Sequence, residues 1–305
     1  MIATIATQQV LALRRQRIFM ALLGTFLVMT ALAGVIGWLS HETIVRVYDD
    51  AVKILAAAGK PAPASPFDLK PPLSLLSNMA IYVPLIGALM ALVLGHLAIA
   101  EDRSDGLGRL MFTRSASRGG YLAGKLLATS GVLAVICLLS LLVSAVSLII
   151  VNRATPTVGE IGRLFAFYSF SWLYLLAFAL VGVVTTLTVR RRSLALLAGL
   201  GVWLVLTFAV PQFTSGLLPT AALNPITNPV STSQAFFRLT SKARPFSVSE
   251  QYKTTAAQIL GTSPGESAVD ASLRLAPLIV MVFGLLALSV VLVGRHDYSK
   301  VDDDA

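Results

Sequence analysis

Gly119-Gly120-Tyr121-Leu122-Ala123-Gly124-Lys125 has the G-x-x-x-x-G-K spacing of a phosphate-cradling loop. That chemistry needs a preceding strand, backbone N–H groups wrapped around the phosphates, and a Ser or Thr directly after the lysine to hold Mg²⁺. Leu126 stands in that place and opens a long apolar run. The stretch therefore reads as the head of a helix, and the chain is not expected to hydrolyse ATP by itself. Hydrolytic constellations are equally incomplete. His41-Glu42 lacks the second histidine of a zinc-protease helix, and His41, His96 and His296 are scattered. The single cysteine, Cys137, rules out an internal disulfide and any Cys-x-x-Cys zinc site. The methionines do not cluster into a soft-metal site. No catalytic, cofactor-binding or metal-binding residue is assigned.

The more informative residues lie between Ala100 and Ala128. Glu101 and Asp102 close an apolar run, and Asp105-Gly106 marks a turn. Arg109, Leu110, Met111, Phe112 and Arg114 form a short apolar-basic stretch, and Ser117-Arg118 leads into Gly124-Lys125. A solvated basic loop accounts for the arginines but not for three consecutive apolar side chains. A docking surface accounts for both, with apolar knobs entering a partner's groove and rim arginines orienting it.

The elements that position this loop follow from composition. Of 305 residues, 56% are hydrophobic and 13% charged, with mean hydropathy +0.79. Soluble domains carry about 25% charged residues, and disorder needs low hydrophobicity, so neither class fits. A bilayer core of ~30 Å takes ~20 apolar helical residues. Six stretches qualify, near 18–39, 79–100, 126–151, 164–189, 194–210 and 275–294, and none contains Asp, Glu, Lys or Arg. The fifth either ends at Pro211 or extends to Leu218. The predicted fold is all-α: one polytopic membrane domain over 1–305 with six transmembrane helices, an N-terminal interfacial helix and external amphipathic helices. Proton-coupled transporters keep ionisable groups at membrane depth. Only His96 comes near, and it reads as interfacial, so no proton-coupling site is expected.

The surplus of 24 Lys and Arg over 15 Asp and Glu reads as loop orientation rather than nucleic-acid binding. With the N-terminus inside, the inner segments hold 13 Lys/Arg in 57 residues, against 11 in 114 outside. Both termini are thus expected in the cytoplasm. Ala31-Leu32-Ala33 resembles a cleavage site, but the apolar run continues through Leu39 and reads as a span instead. Arg14-Arg15 lacks the flanks of a twin-arginine signal.

Between spans, 42–58 reads as an amphipathic helix ended by Gly59, with Ile44, Val45, Val47, Tyr48, Ala51, Val52, Ile54 and Leu55 on one side. A proline-rich linker follows it. In 211–274, Ser247…Glu250 and Ser263-Pro264…Glu266 fit capping boxes. A helix from Pro264 to Gly294 would run ~46 Å and project beyond the bilayer, kinked at Pro277. Gly87, Ala91 and Gly95, and likewise Ser140 and Ser144, repeat every four residues. They read as helix-packing positions, with a polar substrate path along the serines as the alternative.

The loop pattern resembles the permease subunits of type-2 ATP-binding-cassette (ABC) exporters, whose loop reads acidic-x-Gly-Thr-Leu…Pro-Val-Ser-Arg…Gly-Lys. Asp105-Gly106, Ser117-Arg118 and Gly124-Lys125 match it; Leu107-Gly108 replace Thr-Leu, and Ser115 replaces the proline. Six spans, a basic N-terminal segment and Leu223-Asn224-Pro225 after the fifth span agree. The long first external loop is similar to the subgroup of nitrous-oxide-reductase maturation and sodium-extrusion permeases.

The resemblance implies a homodimeric pathway in the cell membrane, driven by two copies of a separate cytoplasmic ATPase. ATP and Mg would be bound by those subunits and no cofactor by this chain. It also implies that Glu101 and Asp102 lie at the docking site, that Gly106–Arg118 is the coupling element, and that 3–17 is an interfacial helix. On that helix Ile5, Ala12 and Leu13 share a face broken by Gln9. The alternative is a mechanotransmitter or scaffold using the same ATPase on an external partner protein without moving a solute. A membrane-embedded enzyme is disfavoured because the spans lack acid and base residues. The sequence names no substrate.

Overall fold

The computed structural model describes residues 2–13, 15–61, 72–104, 117–152, 156–214, 241–262 and 268–295. Among them all regular structure is helical. In chain order these are α1 (Ile2–Leu13), α2 (Arg17–Ala57), α3 (Met79–Tyr82), α4 (Ala88–Ser104), α5 (Arg118–Asn152), α6 (Val158–Thr188), α7 (Arg192–Leu204), α8 (Val210–Thr214), α9 (Val248–Ile259) and α10 (Ala268–Arg295). Two π-turns, Val83–Gly87 and Val205–Ala209, join α3 to α4 and α7 to α8. Six helical stretches are long and apolar enough to cross a bilayer: Arg17–Ala57, Leu73–Asp102, Arg118–Ile150, Val158–Thr188, Arg192–Thr214 and Arg274–Arg295. This is the expected all-α, six-span membrane protein. The fifth span runs through Pro211 to Thr214, its π-turn ending just ahead of the proline.

Without a hydrophobic drive between helices in lipid, close packing decides which spans are central. The second span and α6 are enclosed, with 83% and 67% of their apolar windows buried, whereas the fifth shows 17% and the sixth 22%. Two glycines make that core. A Cβ on Gly95 would lie 1.9 Å from the Ala179 carbonyl oxygen, and one on Gly182 would lie 2.1 Å from that of Leu92. The backbones of α4 and α6 therefore touch, and only hydrogen fits between them. Beside this crossing His96 is buried, its Nδ1 2.8 Å from Thr186 Oγ1. It is a helix-packing residue rather than the interfacial histidine expected.

Gly95→Ala and Gly182→Ala should each force the two backbones apart. The expected loss is in the upper part of the ~1–3 kcal/mol typical of overpacking, since a main-chain oxygen cannot rotate away. Gly201→Ala, whose Cβ would meet nothing within 4 Å, should leave thermal unfolding in detergent unchanged. Equal melting shifts for the inner and outer alanines would show that the crossing is looser than described.

The serine pair also packs. Ser140 and Ser144 are fully buried, and Ser144 Oγ lies 2.6 Å from Tyr168 OH on α6. The predicted 42–58 helix forms, but as the unbroken continuation of the first span. No helix breaker stands between Leu39 and Ala57, and α2 ends where Gly59 takes a φ of +68°. At 41 residues it is ~61 Å long, about twice the bilayer core.

The Ser247…Glu250 box does not form. Glu250 instead accepts from Arg244 Nε at 2.6 Å and from Thr214 Oγ1 at 2.8 Å, and Ser247 makes no side-chain cap bond. The second expected box falls on 263–267, outside the described residues. A box does form at Thr157…Glu160, at the head of α6. On α9, Val248, Ser249, Glu250, Tyr252, Thr255 and Ala256 are buried.

Candidate functional site

The helices alternate in direction, so one end of the bundle collects α1, the starts of α2, α5 and α7, and the ends of α4, α6 and α10. Its polar groups pair across elements. Lys125 Nζ, about two turns into α5, lies 2.8 Å from Asp102 Oδ2 at the end of α4; their side chains are 6% and 11% exposed. Tyr121 OH donates to the same Asp102 oxygen at 2.7 Å. Lys125 also donates to Gln9 Oε1 on α1 at 2.6 Å and sits 5.7 Å from the centre of the Tyr121 ring.

A buried charge is tolerated only when it is paired and hydrogen-bonded. Here the lysine is met by a carboxylate, an amide oxygen and an aromatic face, and the carboxylate by an ammonium and a phenol. Every one of these contacts crosses between elements or spans one helical turn.

Around this centre Gln16 donates to Glu101, and Arg118 donates to the Gly294 carbonyl near the end of α10. Arg192, at the head of the fifth span, lies close enough to Glu101 to attract its carboxylate. Gly120 N–H donates to Ser117 Oγ at 3.1 Å, which caps α5.

The face that Gln9 interrupts on α1 is thereby explained. Ile5, Gln9 and Leu13 follow one another at i, i+4 and i+8 and are all buried. The two apolar residues pack, and the amide between them receives Lys125. The phosphate-loop look-alike is also resolved: Gly119–Lys125 is helical, and its lysine is engaged by Asp102 and Gln9.

Of the residues singled out from sequence, the structure brings Glu101, Asp102 and Arg118 to this end of the bundle. Asp105, Gly106, Arg109, Leu110, Met111, Phe112 and Arg114 lie outside the described residues. Gln9, Gln16, Tyr121 and Lys125 were missed as partners. Lys125 stood in the Gly-Lys motif, and a glutamine on a buried stripe was the available signal for Gln9.

Chemically the cluster neutralises its own charges. The carboxylate of Asp102 is committed to Lys125 and Tyr121. Mechanically it ties together the two stems of the 105–116 segment, α4 and α5, and fastens α1 to both. The family described as ABC-2 family transporter protein matches residues 3–298 of the chain. No curated protein matches it.

Proposed function

The chain belongs to the ABC-2 family of transporter proteins, the permease components of ABC transporters, and we propose that two copies of it form an export pathway driven by a separate cytoplasmic ATPase. The partner would be an ABC ATPase present in two copies, carrying the ATP and Mg. It would dock on the 101–120 region with Leu110, Met111 and Phe112 as apolar anchors and Arg109 and Arg114 at the rim.

The observation that supports this reading is the buried Asp102–Lys125 pair with Gln9 and Tyr121. A loop that merely connected two spans would not need its stems cross-linked by a buried charge pair. A loop that receives force does, because the push must reach the second and third spans and α1 together.

On this reading the clustered end is cytoplasmic, and the tip of α2 with α9 faces outward. The motive is the Lys/Arg asymmetry. Lys53 is 77% exposed, and Lys242 and Arg118 are exposed as well, while Cys137 is buried. In intact cells a membrane-impermeant thiol reagent should label Lys53→Cys and Lys242→Cys but reach Arg118→Cys only after permeabilisation. Labelling of Arg118→Cys alone in intact cells would invert the topology and remove the docking site from the cytoplasm.

One observation favours a second reading, force transmission to an external partner protein. Roughly half of the ~61 Å α2 extends past a ~30 Å hydrocarbon core. That reading expects ATPase coupling without a water-accessible passage between the two copies. The export reading expects cysteines along the passage to react with water-soluble probes.

A further inference from the structure

The fifth span carries a structural joint that the coupling reading does not use. Val205–Ala209 is a π-turn, closed by the Val210 N–H reaching back five residues to the Val205 carbonyl. Pro211 follows at once. It has no N–H, and its ring crowds the carbonyl four residues earlier, that of Thr207. The widened turn relieves that clash at the cost of regular helix bonds, and π-turns of this kind are common where helices bend in function.

On one side of the joint the span is pinned. Trp203 Nε1 donates to the Pro84 carbonyl at 3.3 Å, within the π-turn of the second, most enclosed span. On the other side lie α8, a 3₁₀ turn (Ser241–Phe246) and α9, bound to one another through a single carboxylate: Glu250 of α9 takes Thr214 Oγ1 of α8 and Arg244 Nε of the turn. The 3₁₀ turn also packs on both α8 and α9.

The geometry points to α8, the 3₁₀ turn and α9 forming one rigid cap that swings on the Val205–Ala209 joint, with Trp203 holding the stationary side. Two hydroxyl bonds fasten the cap to α6: Tyr252 OH with Ser171 Oγ at 2.7 Å, and Ser249 Oγ with Tyr174 OH at 2.8 Å. The Tyr174 and Tyr252 rings meet at 4.3 Å, and Thr207 of the joint lies beside the Tyr174 hydroxyl.

The division of bonds carries the inference. The polar contact within the cap is charged, whereas those from cap to α6 are neutral, buried hydroxyl pairs, backed by the stacking of Tyr252 on Phe170 at 5.0 Å. Charge-assisted bonds are roughly twice as strong as neutral ones. Released from α6, the cap should therefore leave whole. Within the single chain the fifth span is also the least enclosed of the six, with 17% of its apolar window buried.

The test uses the full chain in lipid nanodiscs without any ATPase, so it stands apart from the docking assignment. Spin labels on Lys242→Cys and Val158→Cys, in a Cys137→Ala background, report cap against α6; labels on Lys242→Cys and Phe213→Cys report within the cap. The parent should give a single narrow distance for both pairs. Tyr174→Phe with Tyr252→Phe should add a second, longer population to the first pair only. Pro211→Ala, which permits a regular helix, should remove that population. Trp203→Phe should widen it by freeing the stationary side. The proposal is overturned if the tyrosine variants leave the cap-to-α6 distance unchanged, if the within-cap distance splits as well, or if the second population survives Pro211→Ala with Trp203→Phe having no effect.

Discussion

Asp102→Ala should be the most damaging single substitution at the clustered end, costing about 3–5 kcal/mol of stability, because it leaves the buried Lys125 ammonium without a counter-charge. Lys125→Met should do the same to Asp102 in mirror image. The double variant Asp102→Leu with Lys125→Met should recover most of the loss, since replacing a whole buried pair with apolar groups is often neutral. It should not recover all of it. Gln9 and Tyr121 would then have lost their partners, and an orphaned buried polar group costs about 1–3 kcal/mol. Adding Gln9→Leu should reduce that remainder. Thermal unfolding of the parent, Asp102→Leu, Lys125→Met and their double variant in one detergent gives the coupling between the two sites. If the single and double variants melt together, the pair contributes nothing by being paired, and the stems of the loop are held by packing alone.

The second large effect is expected in assembly rather than in folding. Three consecutive apolar side chains, Leu110, Met111 and Phe112, are costly in a loop unless something covers them, and each can contribute about 1.5–3 kcal/mol when buried. On the proposed docking, Phe112→Asp would place an uncompensated charge in that contact. The ATPase should co-purify at a small fraction of its parent level, or remain bound with hydrolysis uncoupled from transport. Arg114→Ala should weaken assembly mildly, and more visibly at low salt, as expected for a rim charge. The two sets of variants separate cleanly. Asp102→Ala acts on the melting temperature of the chain by itself, whereas Phe112→Asp should leave that temperature unchanged and act only with the ATPase present.

The six spans were legible because each is a long apolar window without charge, and the bilayer fixes how long such a window must be. Where one span stops is less legible. The change from apolar to charged residues after Leu39 reads as a boundary, yet the backbone carries α2 on to Ala57, because polarity marks the edge of lipid and not the end of a helix. The Thr157…Glu160 box was written in the sequence as plainly as Ser247…Glu250, and only the first forms. Glu250 is taken by Thr214 and Arg244, and no local pattern shows that competition.

The site divides in the same way. Glu101, Asp102 and Arg118 stood out as the charged borders of one loop. Gln9 did not, because its partner Lys125 is 116 residues away and a lone glutamine on an apolar stripe looks like a flaw in the stripe. Gly95 was marked by its four-residue spacing from Ala91 and Gly87. Its counterpart Gly182 has Thr186 four residues on, a weaker sign of the same close approach.

The central claim is that a separate ATPase docks on the loop that this clamp supports. A photo-crosslinking amino acid in place of Phe112 tests it most directly, with one in place of Ala57 at the opposite end of the bundle as the control. Illumination of intact membranes should join the chain covalently to an ABC ATPase from position 112 and give no such adduct from position 57. Absence of the adduct at 112 in membranes that contain the ATPase, or its appearance at 57, would contradict the account.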